Sequence, residues 1–207
     1  MGALMLKQLI FIFCLTLYSQ VIFASQLDGK SLLPASNAAL QEASTIVSLD
    51  SIYAWEAELE GDEVITKILN VVDVQLTYGC HFHSEEMFCH QESQNQGDQR
   101  YHKDPEVTLD YVKSGHQAAI SKFERTLQRQ GSDLSVMSSI KVWSHEEGGG
   151  DDGHEHGADV WTKIIYTQKN EIKTIFVLCH VHGQDQMFSC HYNNSGKGEP
   201  QLSFSAL

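Results

Sequence analysis

Two short runs of cysteine and histidine carry most of the chemistry this sequence offers. Cys80-His81-Phe82-His83 is followed by Met87-Phe88-Cys89-His90, and Cys179-His180-Val181-His182 by Met187-Phe188-Ser189-Cys190-His191. Alternate residues of an extended strand share a face, so His81 and His83 point the same way with about 7 Å between their backbones. If each run is a hairpin, His90 lies on that face, diagonal to His81, and the cysteines lie on the other. His180, His182 and His191 repeat the arrangement. Neutral imidazoles on one rigid face are ligands for zinc or copper, and a disulfide behind them would hold the geometry. The competing reading is an ordinary wet strand face. Three nitrogens with an open position would also suit a catalytic zinc. The nearest acid is Glu86, however, and no motif places it as a base, so metal-dependent hydrolysis is the least supported use. A weaker pair, His154 and His156, sits among Asp151, Asp152 and Glu155 in a glycine-rich stretch where flexible ligands scavenge ions.

The chain has 207 residues and five cysteines, but Cys14 belongs to a segment of another kind. Lys7 precedes the apolar run Leu9–Leu15, and Ser19, Ala24 and Ser25 follow. This pattern predicts a secretory signal peptide over residues 1–24, cleaved after Ala24. The run is too short for a membrane span, so no stable insertion is expected after cleavage. Four cysteines in an exported chain predict disulfides, and a secreted or periplasmic location. Four cysteines allow three pairings. Repetition selects Cys80–Cys89 and Cys179–Cys190, each worth about 2–3 kcal/mol. Thiolate metal ligation and thiol exchange are disfavoured by export and by the lack of C-x-x-C spacing.

The formal net charge is −13, and loss of Lys7 makes it one unit more negative. Phosphate backbones need a basic surface, so nucleic acid is excluded as a partner. An acidic surface keeps an exported protein in solution and favours cationic partners, metal ions included. No G-x-S-x-G, H-E-x-x-H or phosphate-cradling loop is present, and no enzymatic activity is expected.

The elements that must position these residues also come twice. Ser51-Ile52-Tyr53-Ala54-Trp55 matches Ser139-Ile140-Lys141-Val142-Trp143, and Thr66-Lys67-Ile68 matches Thr162-Lys163-Ile164. The expected fold is α+β, an internal duplication of a helix packed on a four-stranded antiparallel meander. Residues 25–92 form the first repeat, 93–103 a polar linker, 104–195 the second repeat and 196–207 a flexible tail. A first helix is expected over about Ala35–Val47, and a second is capped by Asp104 and Pro105 and stopped by Gly131. Tyr53, Trp55, Ala57 and Leu59 alternate with Glu56, Glu58 and Glu60 as a half-buried strand. Val74, Leu76, Tyr78, Cys80 and Phe82 form the covered face of the third strand, opposite a wet face bearing His81 and His83. Pairing Cys80 with Cys89 leaves Ser84-Glu85 as the hairpin turn. From Trp55 to Thr66 is 11 steps and from Trp143 to Thr162 is 19, so the glycine-rich stretch is an inserted loop between two strands.

A helix followed by four strands, in tandem in an exported protein, resembles cystatin-type domains and the duplicated unit of bacterial β-lactamase inhibitory proteins. The resemblance is one of topology. The Gln-x-Val-x-Gly wedge of cystatins is absent, so no inhibitory residue carries over. What it implies is binding of an extracytoplasmic protein partner, as an inhibitor, with the repeat supplying contact area. Zinc or copper on the histidine hairpins is the alternative.

Overall fold

The computed structural model describes residues 27–70, 74–96, 107–145, 158–181 and 187–193. The expected signal peptide, residues 97–106, the glycine-rich stretch with His154 and His156, His182 and residues 194–207 lie outside them. No described helix is long and apolar enough to cross a membrane.

Helix α1 (Leu32–Ala43) grows from a three-residue turn, Gly29–Ser31, in which Asp28 accepts from the Lys30 N–H and Ser31 Oγ from the Asp28 N–H. It buries Leu32, Ala35, Ser36, Ala39, Leu40 and Ala43, a stripe at three- and four-residue spacing. It starts before Ala35, because Pro34 sits within the first turn, where a missing N–H costs little, and it ends at Ala43, short of Val47. Four strands follow: β1 (Ile52–Glu60), β2 (Glu63–Asn70), β3 (Val74–His83) and β4 (Glu86–Gln96). Ser93–Gln96, placed in the linker from composition, are the end of β4 and pair with Val74–Thr77.

Helix α2 (Leu109–Arg129) precedes β5 (Met137–His145), β6 (Asp159–Gln168), β7 (Glu171–Val181) and β8 (Phe188–Tyr192). Its cap is Thr108, whose Oγ1 accepts from the Tyr111 N–H at 3.2 Å, and not Asp104. Gly131, at φ +72°, closes the helix as expected.

The described strands form one antiparallel sheet in the order β4-β3-β2-β1-β5-β6-β7-β8. Strands β1 and β5 pair from Ala54 against Trp143 to Glu58 against Ser139. Separate four-stranded lobes would each leave an edge of unpaired N–H and C=O groups, and this pairing satisfies both edges at once. Both helices cover the same face. One apolar cluster runs across the sheet beneath them, including Leu40, Trp55, Ile68, Tyr78, Ile120, Phe123, Ile140, Ile164 and Val177.

The opposite face departs from the expectation of a uniformly wet surface. Tyr53, Ala54, Leu69, Trp143 and Trp161 form a second buried cluster there, with the two indoles stacked at 6.0 Å. Tyr53 reaches it because a register irregularity between Ile52 and Ala54 shifts the alternation. Trp55 and Trp143 are both buried but belong to clusters on opposite faces, so they are not equivalent positions, whatever their matching sequence context. Beside the tryptophans Glu56 stands across from Lys67 and Lys141, and Lys141 across from Lys163. Burial pushes the Glu56 carboxyl above its usual range, while Lys141 and Lys67 pull it back.

At the junction of the halves, a Cβ on Gly29 would run into Leu134 O and lie 2.7 Å from Met137 N. Backbone cannot yield as a side-chain tip does. Gly29→Ala is therefore expected to cost about 2–3 kcal/mol, read as a lower urea midpoint at unchanged slope. A midpoint equal to wild type would show that the two segments do not pack this tightly.

Candidate metal centre

Across β3 and β4, Cys80 stands directly opposite Cys89 and the two form a disulfide. Both sulfurs face α1, at 3.8 and 3.6 Å from Ala35 O. The turn is Ser84-Glu85, with Ser84 at φ +61°. This register sends His81, His83 and His90 to the helix-free face. His90 is paired with Gly79, diagonal to His81, and the two rings are 5.4 Å apart.

The third strand of the site is β2, which neither Cys-His run contains. Val64 pairs with Cys80, so Glu63 stands beside His81 on the same face. Glu63 Oε1 lies 3.2 Å from His81 Nδ1 and 3.9 Å from His90 Nε2. His90 Nε2 also lies 2.6 Å from Glu92 Oε1. Glu63, His81 and His90 each offer a ligand atom, and these three atoms lie within 4.8 Å of one another. Tetrahedral zinc with ordinary bond lengths separates its ligand atoms by about 3.3 Å, so these spacings fit an ion with small adjustments. Glu92 Oε1, beside the same His90 nitrogen, is the nearest further oxygen. Glu86, the nearest acid in sequence, lies opposite His83 in the ladder and outside the set.

Gly79 is the floor of this cluster. A Cβ there would sit 3.0 Å from Glu63 Oε2, 3.1 Å from Glu92 Oε1 and 3.2 Å from His90 Cε1. A side chain there would push these three tips outward by a few tenths of an ångström. His83 is not in the three-atom set. Its Nε2 lies 2.9 Å from His81 Nε2, and its ring meets Phe88 edge-on at 5.1 Å. If His81 Nε2–H donates to His83, the Nδ1 lone pair faces Glu63. His81 Nδ1 is buried and makes no hydrogen bond, although the carboxylate oxygen is 3.2 Å away.

The second hairpin follows the same plan. Cys179 pairs with Cys190 and is bonded to it, and Val160 pairs with Cys179, which sets Asp159 beside His180. Asp159 Oδ1 lies 3.1 Å from His180 Nδ1, both side chains being 12% exposed. The His180 and His191 rings are 5.5 Å apart. Leu178 occupies the position opposite His191 that Gly79 holds opposite His90. His182, His154 and His156, expected as ligands, fall outside the described residues.

Glu63-Val64-Ile65-Thr66-Lys67-Ile68 and Asp159-Val160-Trp161-Thr162-Lys163-Ile164 extend the Thr-Lys-Ile match by an acid and a valine. A cavity of about 670 Å³ lined by Leu127, Gln130, Val136, Gln168 and Lys173, among others, includes neither histidine nor carboxylate in its wall. Compared with known proteins, the chain matches no family model, no curated protein and no solved structure.

Proposed function

We propose that this is a non-enzymatic binding protein of an oxidising, extracytoplasmic compartment that takes up zinc or copper on its first hairpin, with Glu63, His81 and His90 as ligands. The observation that carries this reading is the buried His81 nitrogen. It faces a carboxylate at 3.2 Å without a hydrogen bond, an arrangement that a cation between the two groups relieves. Two imidazoles with carboxylate oxygens suit borderline divalent ions. Two disulfides fit export. The recurrence of one helix and four strands supports a duplicated unit. A protein partner, including the inhibitor role implied by the cystatin resemblance, remains the other expectation of the sequence. The metal reading is preferred because it names ligand atoms.

Zinc titration by calorimetry on the full mature chain tests it. His81→Ala with His90→Ala is expected to weaken the tightest zinc site by about 100-fold or more, with the near-ultraviolet signal of the buried tryptophans unchanged. Gly79→Val, which removes no ligand, should weaken it about tenfold by spreading Glu63, Glu92 and His90. Tight binding left intact in the double histidine variant would discard the site.

A further inference from the structure

We infer that the second hairpin holds a second divalent transition-metal site, built from Asp159, His180 and His191. The inference goes beyond the single-site reading but shares its ligand chemistry. Three geometric matches support it. The carboxylate-to-imidazole distance is 3.1 Å from Asp159 to His180, where it is a hydrogen bond, and 3.2 Å from Glu63 to His81, where it is not. The two histidine rings are 5.5 Å apart in one hairpin and 5.4 Å in the other, inclined at 54° and 60°. Each set is also placed by the same ladder register, an acid one residue before the valine that pairs with a half-cystine.

The second site is better anchored at its acid. Tyr111 of α2 donates from its hydroxyl to Ala158 O at 2.7 Å, which pins the backbone immediately before Asp159. It is less closed at the other histidine. Leu178, in place of a glycine floor, keeps a side chain beneath His191, whose Nε2 is 3.4 Å from Ser189 Oγ. Among the described residues only Glu63, His81 and His90 already bring three ligand atoms together, so a cation here replaces the proton of the Asp159–His180 hydrogen bond and draws His191 in by rotation of an exposed ring away from a long, weak contact. The ordering follows. The first hairpin, with Glu92 and a glycine floor, binds tighter, and the second binds the same class of ion more weakly.

The full mature chain, stripped with chelator and titrated with zinc alone, tests this by native mass spectrometry and calorimetry. Wild type is expected to take two ions in two phases. Asp159→Asn with His180→Ala should lose the weaker phase and keep the tighter one. His191→Gln, at an exposed position that cannot disturb the core, should weaken the same phase about tenfold. His81→Ala with His90→Ala should do the reverse. A single ion in wild type that survives Asp159→Asn with His180→Ala overturns the second site and leaves the first standing. A single ion lost only in that variant overturns the first site instead. No ion in wild type overturns both.

Discussion

Cys80→Ser with Cys89→Ser should lower stability by about 2.7 kcal/mol and weaken zinc binding on the first hairpin about tenfold, whereas Cys179→Ser with Cys190→Ser should cost as much stability and leave that site intact. The stability term comes from the unfolded chain, where each bridge closes a short loop of sequence separation 9 or 11. The binding term comes from the strand register. His81 and His90 each follow a half-cystine by one residue and project to the other side of the sheet, so the bridge holds their diagonal. Removing both bridges should cost about 5 kcal/mol, comparable to the whole stability of many domains. Urea unfolding gives the first quantity and zinc calorimetry the second. Equal zinc affinity in the two paired variants would show that the bridge behind the histidines does not hold them.

Stability should also fall as the solution is acidified below about pH 6.5, through a histidine unrelated to the metal centre. His116 lies in the apolar stripe of α2, with Nδ1 3.1 Å from Thr162 Oγ1, its ring edge-on to Trp55 at 5.6 Å, and Nε2 buried without a partner. Burial lowers its pKa to about 3. The unfolded chain binds this proton near pH 6.5 and the folded protein only near 3, so between the two the unfolded state carries more protons. The contribution is complete above the unfolded value and is lost on acidification, by at most about 1.4 kcal/mol per pH unit. His116→Gln, which has no proton to gain, should lose markedly less stability than wild type between about pH 7.5 and about pH 4.5. Its own cost at neutral pH cancels in that comparison. Parallel curves for the two proteins would mean that His116 already accepts a proton in the folded state.

The sequence resolved most elements because their signals are local. Alternation marked β3, the three- and four-residue stripe marked α2, and Gly131 marked its end. The cysteine pairing followed from the repetition of the two Cys-His runs, the hairpin register followed from the pairing, and the register in turn set which histidines share a face. Boundaries slipped where local chemistry is ambiguous. The first helix, expected from Ala35, takes in Leu32–Pro34, and the polar run Ser93–Gln96 reads as linker yet completes a ladder. The matched tryptophans misled for a different reason. Side-chain direction along a strand depends on every residue counted, and the register irregularity near Tyr53 is invisible in composition.

What the amino-acid order determined by itself is the two-hairpin scaffold, its disulfides and the histidines on one side of it, because hairpin contacts join residues near in sequence. What only the tertiary structure decided is the joining of both halves through β1 and β5 and the arrival of Glu63 and Asp159 beside those histidines. Both depend on pairing between strands far apart along the chain, whose register is set by the burial of a whole sheet face rather than by any local run of residues.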